Sequence, residues 1–353
     1  MGRARLGVVL GYAADFNAVA EEVPDFEAAG AELFSVSETY SFDAVSQLGY
    51  LAAITKTAGL ASDILPIYTR TPALLAMTAA GLDSLSGGRF ELGLGSSGAQ
   101  VVEGFHGVPF DAPLGRTREI IEICRQVWRR EPLAHAGRHY QLPLPASTPG
   151  AVGAGKPLRI INHPVRSAVP VHIAALSPKS VAQAAEIADG WTPIFFHPER
   201  AADVWGAALA EGAGKRSPAL GKLDVIVPVA LYTGEFTEYA LMMVRQQLAL
   251  YVGGMGAQGR NFYYDLAVRY GYEAEAAEIQ RLFLAGDKDD AAFAVPEELA
   301  RAVSLIGTRD EIAERVDALV AAGVTTLLVQ PADRTHEERV AAIRMLRAVL
   351  DEE

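Results

Sequence analysis

Val171-His172-Ile173-Ala174-Ala175-Leu176-Ser177-Pro178-Lys179-Ser180 is the stretch on which the fold turns. The apolar run Val171–Ala175 reads as a strand and passes almost directly into a helix start. Ser177 is a natural N-cap, and Pro178 fills the first helical position, where a missing N–H costs nothing. The spacing that follows predicts a helix over Ser177–Ala188. A strand joined so tightly to a helix is half of a parallel crossover unit.

Outward from this unit, the same pairing repeats in both directions. Strands are expected at Leu6–Leu10, Leu33–Val36, Gly59–Pro66, Phe90–Leu94, Gly190–Ile194, Leu223–Leu231 and Val324–Val329. Helices are expected over Phe16–Ala29, from Thr71-Pro72 onward, and over Arg116–Arg130, Pro198–Ala210 and Arg309–Ala322. Such alternation predicts an α/β protein with a parallel sheet, and eight strands predict a (β/α)8 TIM barrel. Two stretches exceed ordinary connections. Leu133–Pro170, rich in Pro and Gly, reads as an insertion after the fourth unit, and Glu235–Ala302 as a helical region before the last strand, broken at Gly253-Gly254-Met255-Gly256. No second core is evident, so residues 1–353 read as one domain.

Composition narrows the chemistry. Half of the 353 residues are apolar and 21% are charged, which suffices for a large core. A net charge of −12 argues against nucleic acid as a partner. The one cysteine, Cys124, lies in the helical run Ile120–Cys124 and reads as packing, which fits a reducing cytosol. Arg3 and Arg5, the run Leu6–Leu10 and Ala13-Ala14 faintly sketch a secretion signal. The run is short and stops at Asp15, so a first barrel strand explains it better. Nothing elsewhere approaches the ~20 apolar residues of a membrane span.

Charge is unevenly spread. Between Glu131 and Glu186 there is no acidic residue, where the chain's 43 would place roughly six or seven. Arg138, Lys156, Arg159, Arg166 and Lys179 fall in the same window, so it reads as an anion-attracting region or as a chance excess.

Four places carry candidate chemistry. Gly93-Leu94-Gly95-Ser96-Ser97-Gly98 satisfies G-x-G-x-x-G after a strand, yet no acid ends a strand ~20 residues on, since Glu119 falls within a helix. The glycines instead read as permitting close approach of a ring or ribityl chain, with Ser96 and Ser97 donating. The start at Ser177 presents free N–H groups and a partial positive charge, a ready seat for phosphate, although an ordinary capped helix would look the same. Glu38 ends the second strand, on the face where barrels keep their chemistry, and reads as acid or base or as a solvated loop residue. His106, in Gly104-Phe105-His106-Gly107-Val108-Pro109-Phe110, reads as a proton donor, a cover for the cofactor or a buried structural imidazole. His135 and His139 flank Gly137 and do not share a helical face. There is no HExxH and no G-x-S-x-G elbow, so metal and serine hydrolase readings find no support.

At these residues the chain resembles the luciferase-like monooxygenase superfamily, in its coenzyme F420-dependent actinobacterial branch. The likeness runs from Ile64-Leu65-Pro66-Ile67-Tyr68-Thr69-Arg70-Thr71-Pro72 through Ser86-Gly87-Gly88-Arg89-Phe90, Gly93–Gly98 and Gly104–Phe110 to Arg116. It resumes at Ala174–Lys179, Ala185–Trp191, Tyr251–Gly256 and Ile306-Gly307-Thr308, so it spans almost the whole chain.

The resemblance implies a barrel with cofactor at the C-terminal ends of its strands. Phosphate would bind at Ala175, Leu176, Ser177, Pro178 and Lys179. Glu38, Asp63, Ile64, Ser96, Ser97 and Gly98 would face the ring, with a non-proline cis peptide expected at Asp63-Ile64. A deazaflavin tail bears carboxylates besides its phosphate, which suits the acid-free window better than FMN does. The expected activity is hydride transfer between F420 and an organic substrate (C=O, C=C, C=N or secondary alcohol), with Glu38 as first choice for the proton, then His106, and a homodimer as the assembly. The rivals are an FMN-dependent monooxygenase on the same barrel and a flavin-binding relative without chemistry.

Overall fold

Strand and capped helix alternate along the chain as their sequence signals require. The computed structural model describes residues 4–12, 14–235, 237–256, 259 and 261–352. Arg3 and Ala13 of the signal-like segment, and Ala257, Gln258 and Arg260 beyond the glycine break, lie outside them. The chain divides into two compact units, Met1–Ser35 with Ala174–Glu353, and Val36–Ile173.

In the first unit the strand Asp224–Tyr232 is central. It pairs in parallel with Gly190–Thr192, Ser304–Ile306 and Thr326–Pro331, and the last of these pairs with Arg5–Leu10. Leu6, Val8, Val227, Leu231, Leu327 and Val329 are buried along this ladder. In the second unit Phe90–Gly95 pairs in parallel with Gly59–Ser62, Leu65–Pro66 and Val171–Ala174. Leu92 and Leu94 are fully buried, each stabilising the fold by about 2 kcal/mol. On alternate positions stand Glu91 and His172, whose side chains meet at 3.1 Å, so neither polar group is buried alone.

The expected third strand, Gly59–Pro66, is two strands, Gly59–Ser62 and Leu65–Pro66. The peptide between Asp63 and Ile64 is cis, as the family resemblance implies. The expected strand Gly190–Ile194 stops at Thr192, ahead of Phe195, whose φ of 55° is incompatible with extended backbone. The helix expected from Pro198 begins at Ala201, because the amide of Arg200 closes a turn onto the carbonyl of His197. The helix expected from Arg116 begins at Pro113, behind a left-handed Ala112. Ser304–Ile306 was not anticipated, since three residues show no periodicity.

The insertion carries one antiparallel pair, His135–Ala136 with Gln141–Leu142. The second excursion holds the helices Thr237–Gly254, Phe262–Arg269, Glu273–Ala285, Lys288–Phe293 and Glu297–Ala302. Among the described residues no helix is long and apolar enough to cross a membrane.

Candidate functional site

In the second unit, the end of Leu33–Val36 leads to Glu38. Its carboxylate is not a free acid. Arg70 grips it with both guanidinium arms, Nη1–Oε1 at 2.5 Å and Nη2–Oε2 at 2.9 Å, and the amide of Ala44 donates to Oε2 at 3.0 Å. The same Arg70 reaches Asp43 at 2.6 Å, and Asp43 caps the helix Ala44–Ile54 through the amide of Ser46. Burial draws the Asp43 carboxyl up, but the Ser46 donors and the Arg70 charge outweigh it and hold it below its usual range. Two carboxylates at one helix start are thus tied to one cation, with the helix dipole favouring both charges. This Arg70 latch was invisible in the sequence, where Arg70 stood only within the run Ile64–Pro72.

Asp63 contrasts with Glu38. Its amide donates to the carbonyl of Val36 at 2.8 Å, and the amide of Glu38 donates to the carbonyl of Ile64 at 3.3 Å, which stitches the two strand ends together. No described residue hydrogen-bonds the Asp63 carboxyl, and burial alone pushes its pKa up to about 6. A carboxyl titrating there can both hold and release a proton near neutral pH.

The glycine motif divides into two roles. A Cβ at Gly93 would lie 1.9 Å from the carbonyl oxygen of Ser62, and Ser62 Oγ bonds both the amide and the carbonyl of Gly93. Gly93 therefore serves close strand approach, not ligand approach as expected. Gly98 faces open space and precedes the short helix Ala99–Gly104. Ser96 Oγ donates to the carbonyl of Ser97, which is left-handed at φ 58°. His106 stacks edge-on against Phe105 at 5.2 Å, and its Nε2 is buried without a partner among the described residues.

The helix start at Ser177 is as the sequence indicates. Ser177 caps Pro178–Ile187 by accepting from the amide of Ser180, with Pro178 in the first turn. The carbonyls of Ala175 and Leu176 are fixed by Trp191 Nε1 at 2.9 Å and Trp205 Nε1 at 3.2 Å. The amides of Leu176, Ser177 and Lys179 have no acceptor among the described residues, and Lys179 is exposed with no ion pair there. Arg269 is the residue the sequence reading missed. It ends the helix Phe262–Arg269, donates Nη2 to the carbonyl of Leu176 at 2.9 Å, and leaves Nη1 buried without a partner among the described residues. Burial pulls its pKa below the usual guanidinium range. Its one local sign was a cation in Val268-Arg269-Tyr270-Gly271, on a helix whose partner the sequence did not name.

The acid-free window is less free of acid in space than in sequence. Arg166 spends its charge on the fully buried Asp83 at 2.5 Å and on the carbonyl of Phe90. Glu119, from the helix Pro113–Trp128, accepts the amides of Arg138, His139 and Tyr140 and lies 3.3 Å from His135 Nε2. Lys156 and Arg159 stay exposed. Cys124 is fully buried, its thiol pushed up to about 12 by desolvation, which fits the packing role. No group of three or more His, Cys, Asp and Glu suited to a metal occurs among the described residues.

Comparison with known proteins gives these features a context. A Mycobacterium tuberculosis protein described as a coenzyme F420-dependent oxidoreductase is 39% identical over 344 residues, 96% of this chain and 98% of that protein. A 5,10-methylenetetrahydromethanopterin reductase of Archaeoglobus fulgidus is 28% identical over 291 residues, 80% of each chain. The solved coenzyme F420 dependent tetrahydromethanopterin reductase from Methanopyrus kandleri matches with a TM-score of 0.78 at 22% identity, covering 98% of this chain and 97% of that one. An F420-dependent secondary alcohol dehydrogenase in complex with an F420-acetone adduct gives 0.76 at 16% identity, covering 99% and 100%. The fold is accordingly the (β/α)8 barrel expected from the strand count. The luciferase-like monooxygenase family matches residues 2–326, and on that span, with a near full-length relative at 39% identity, the chain belongs to this family.

Proposed function

We propose that the protein is an F420-dependent oxidoreductase that moves a hydride between the deazaflavin and an organic substrate bearing a C=O, C=C, C=N or secondary alcohol. The observation that carries this reading is the start of the helix Pro178–Ile187. Among the described residues three amides are unspent there, the carbonyl of Leu176 is held by a guanidinium with one free arm, and Lys179 adds a second cation. Donors and charge of this kind fit a phosphate. The near full-length relative described as F420-dependent supports a deazaflavin over FMN.

In this reading Ala175, Leu176, Ser177, Pro178 and Lys179, with Arg269, hold the phosphate. Asp63, Ile64, Ser96, Ser97 and Gly98 meet the ring. When bound, the deazaflavin supplies two-electron hydride chemistry. The proton that must accompany a hydride belongs to Asp63, whose carboxyl has no hydrogen-bond partner among the described residues and is pushed up to about 6 by burial. Reduction of a carbonyl draws that proton, and oxidation of an alcohol returns it. Glu38, the first expectation for this role, has both oxygens occupied by Arg70 and instead fixes the loop that follows its strand. His106, with a free buried Nε2, remains the second proton candidate. The protein works as a homodimer in the cytosol, whose reducing conditions suit a lone buried thiol.

The test is a titration of purified protein with F420 and with FMN. Saturable F420 binding with negligible FMN affinity supports the reading. Tight FMN binding without F420 affinity sinks it and leaves the FMN-dependent monooxygenase.

A further inference from the structure

In the first unit, two indoles orient the peptide groups ahead of the helix Pro178–Ile187. Trp191, in the strand Gly190–Thr192, donates Nε1 to the carbonyl of Ala175 at 2.9 Å. Trp205, in the helix Ala201–Ala213, donates Nε1 to the carbonyl of Leu176 at 3.2 Å, and Arg269 Nη2 shares that carbonyl at 2.9 Å. Side chains therefore hold both carbonyls, and no backbone amide reaches them among the described residues.

Holding a carbonyl also aims an amide. Neither the peptide joining Ala175 to Leu176 nor that joining Leu176 to Ser177 is cis. In a planar trans peptide the N–H points opposite to the C=O. With the Ala175 carbonyl turned to Trp191, the amide of Leu176 points away from that indole. With the Leu176 carbonyl turned to Trp205, the amide of Ser177 points away from that one. These are two of the three amides without an acceptor among the described residues.

Neither indole can swing aside. Both are fully buried, and they meet edge to face at 5.2 Å and 79°. Phe196 stacks on Trp205 at 5.4 Å and 14°, and Tyr270 abuts it edge-on at 5.8 Å. Tyr270 is itself pinned, its hydroxyl donating to the carbonyl of Phe195 at 2.8 Å and accepting from the amide of His197 at 3.2 Å. Rings packed this closely move only if their neighbours move with them. The two carbonyls differ in one respect. Leu176 keeps Arg269 if the Trp205 donor is lost, whereas the buried Ala175 has no second donor among the described residues.

We propose that Trp191 and Trp205 are positioning residues for the cofactor phosphate: by drawing the carbonyls of Ala175 and Leu176 into the aromatic core, they turn the amides of Leu176 and Ser177 toward the anion. This rests on the phosphate-anchored reading above and names what sets its geometry. The chain has three tryptophans, so isotope labelling of the indoles in the full-length protein isolates their Nε1–H signals. Trp128, which donates to the carbonyl of Ala76 at 3.0 Å in the second unit, is the internal reference. An anion bound at a peptide N–H polarises that peptide and strengthens the bond its carbonyl accepts. Saturation with F420 therefore moves the Trp191 and Trp205 signals downfield of their positions with the deazaflavin chromophore lacking the phosphorylated side chain. Trp128 is alike in the two complexes. Trp191→Phe weakens F420 by about tenfold and Trp205→Phe by about threefold, since Arg269 still holds the Leu176 carbonyl, and neither changes affinity for the bare chromophore. The wild-type spectra decide the matter even if a variant does not fold. Indole signals alike in the two complexes, or a folded Trp191→Phe that loses both ligands equally, overturn the positioning role. A wild type that binds the two ligands equally refutes the phosphate-anchored reading and this inference with it. One that prefers F420 while its indoles do not respond refutes the inference alone.

Discussion

Arg70 holds both carboxylate oxygens of Glu38, at 2.5 and 2.9 Å, in a pair whose two side chains are only 13% and 9% exposed. The carboxyl at the end of the second strand is therefore a fixture of the loop, whereas its neighbour Asp63 has no such partner among the described residues and is held near pH 6 by burial. This difference between two acids decides how the protein should respond to mutation.

Breaking the latch should cost stability. Arg70→Met leaves the Glu38 carboxylate with one amide donor in a nearly dry setting, and we expect a loss of about 3 kcal/mol in urea unfolding. Glu38→Gln added to Arg70→Met should recover part of that loss. An unchanged unfolding midpoint in Arg70→Met would mean that water satisfies the carboxylate.

Asp63 should reveal itself through pH. Its folded pKa, about 6, lies above the ordinary 3.8, so between those values the native state keeps a proton that the unfolded chain has released. Stability must then fall as pH rises through that window and remain lower above it. Asp63→Asn should be more stable than the wild type above about pH 6 and no different below the ordinary value of 3.8. In turnover, the wild-type kcat/KM should inflect near pH 6 and Asp63→Asn should lack the inflection. An inflection that survives the substitution assigns the proton to another group, with His106 next in line.

The two ends of the glycine motif should behave oppositely. Gly93→Ala drives a methyl to within 1.9 Å of the Ser62 carbonyl, and a loss of about 3 kcal/mol or failure to fold is expected. Gly98→Ala meets nothing within 4 Å and should fold normally. Thermal melts of the pair decide this, and equal melting temperatures would contradict the close strand approach.

The fold was legible because its signals are local. Thr71-Pro72 and Ser177-Pro178 announce helix starts that the structure contains, and the buried runs Leu6–Leu10 and Leu33–Val36 lie in strands within a residue of their expected bounds. What escaped depends on groups distant in sequence. Gly93 is required by Ser62, 31 residues earlier. Arg70 finds Glu38 across 32 residues, and Arg269 finds Leu176 across 93. The acid-free window shows the same dependence, since Asp83 and Glu119 enter it from outside. No periodicity encodes such pairings.

The helix tip can be weakened piece by piece. Ser177→Ala removes the cap and should cost about 1 kcal/mol of stability. Lys179→Ala should leave stability alone but weaken F420 binding, with the deficit shrinking as salt rises, because an exposed cation is screened. Fluorescence titrations at low and high salt measure this, and an affinity indifferent to both substitution and salt would remove Lys179 from the phosphate site.

The most direct measurement compares two ligands that share a ring and differ in the tail: F420, and the same deazaflavin chromophore lacking its phosphorylated side chain. With the amides of Leu176, Ser177 and Lys179 and the free arm of Arg269 gripping the phosphate, F420 should bind about a hundredfold more tightly, the worth of one or two charge-assisted hydrogen bonds. Equal affinities for the two would show that the ring alone is held, and would contradict the phosphate-anchored deazaflavin on which the account rests.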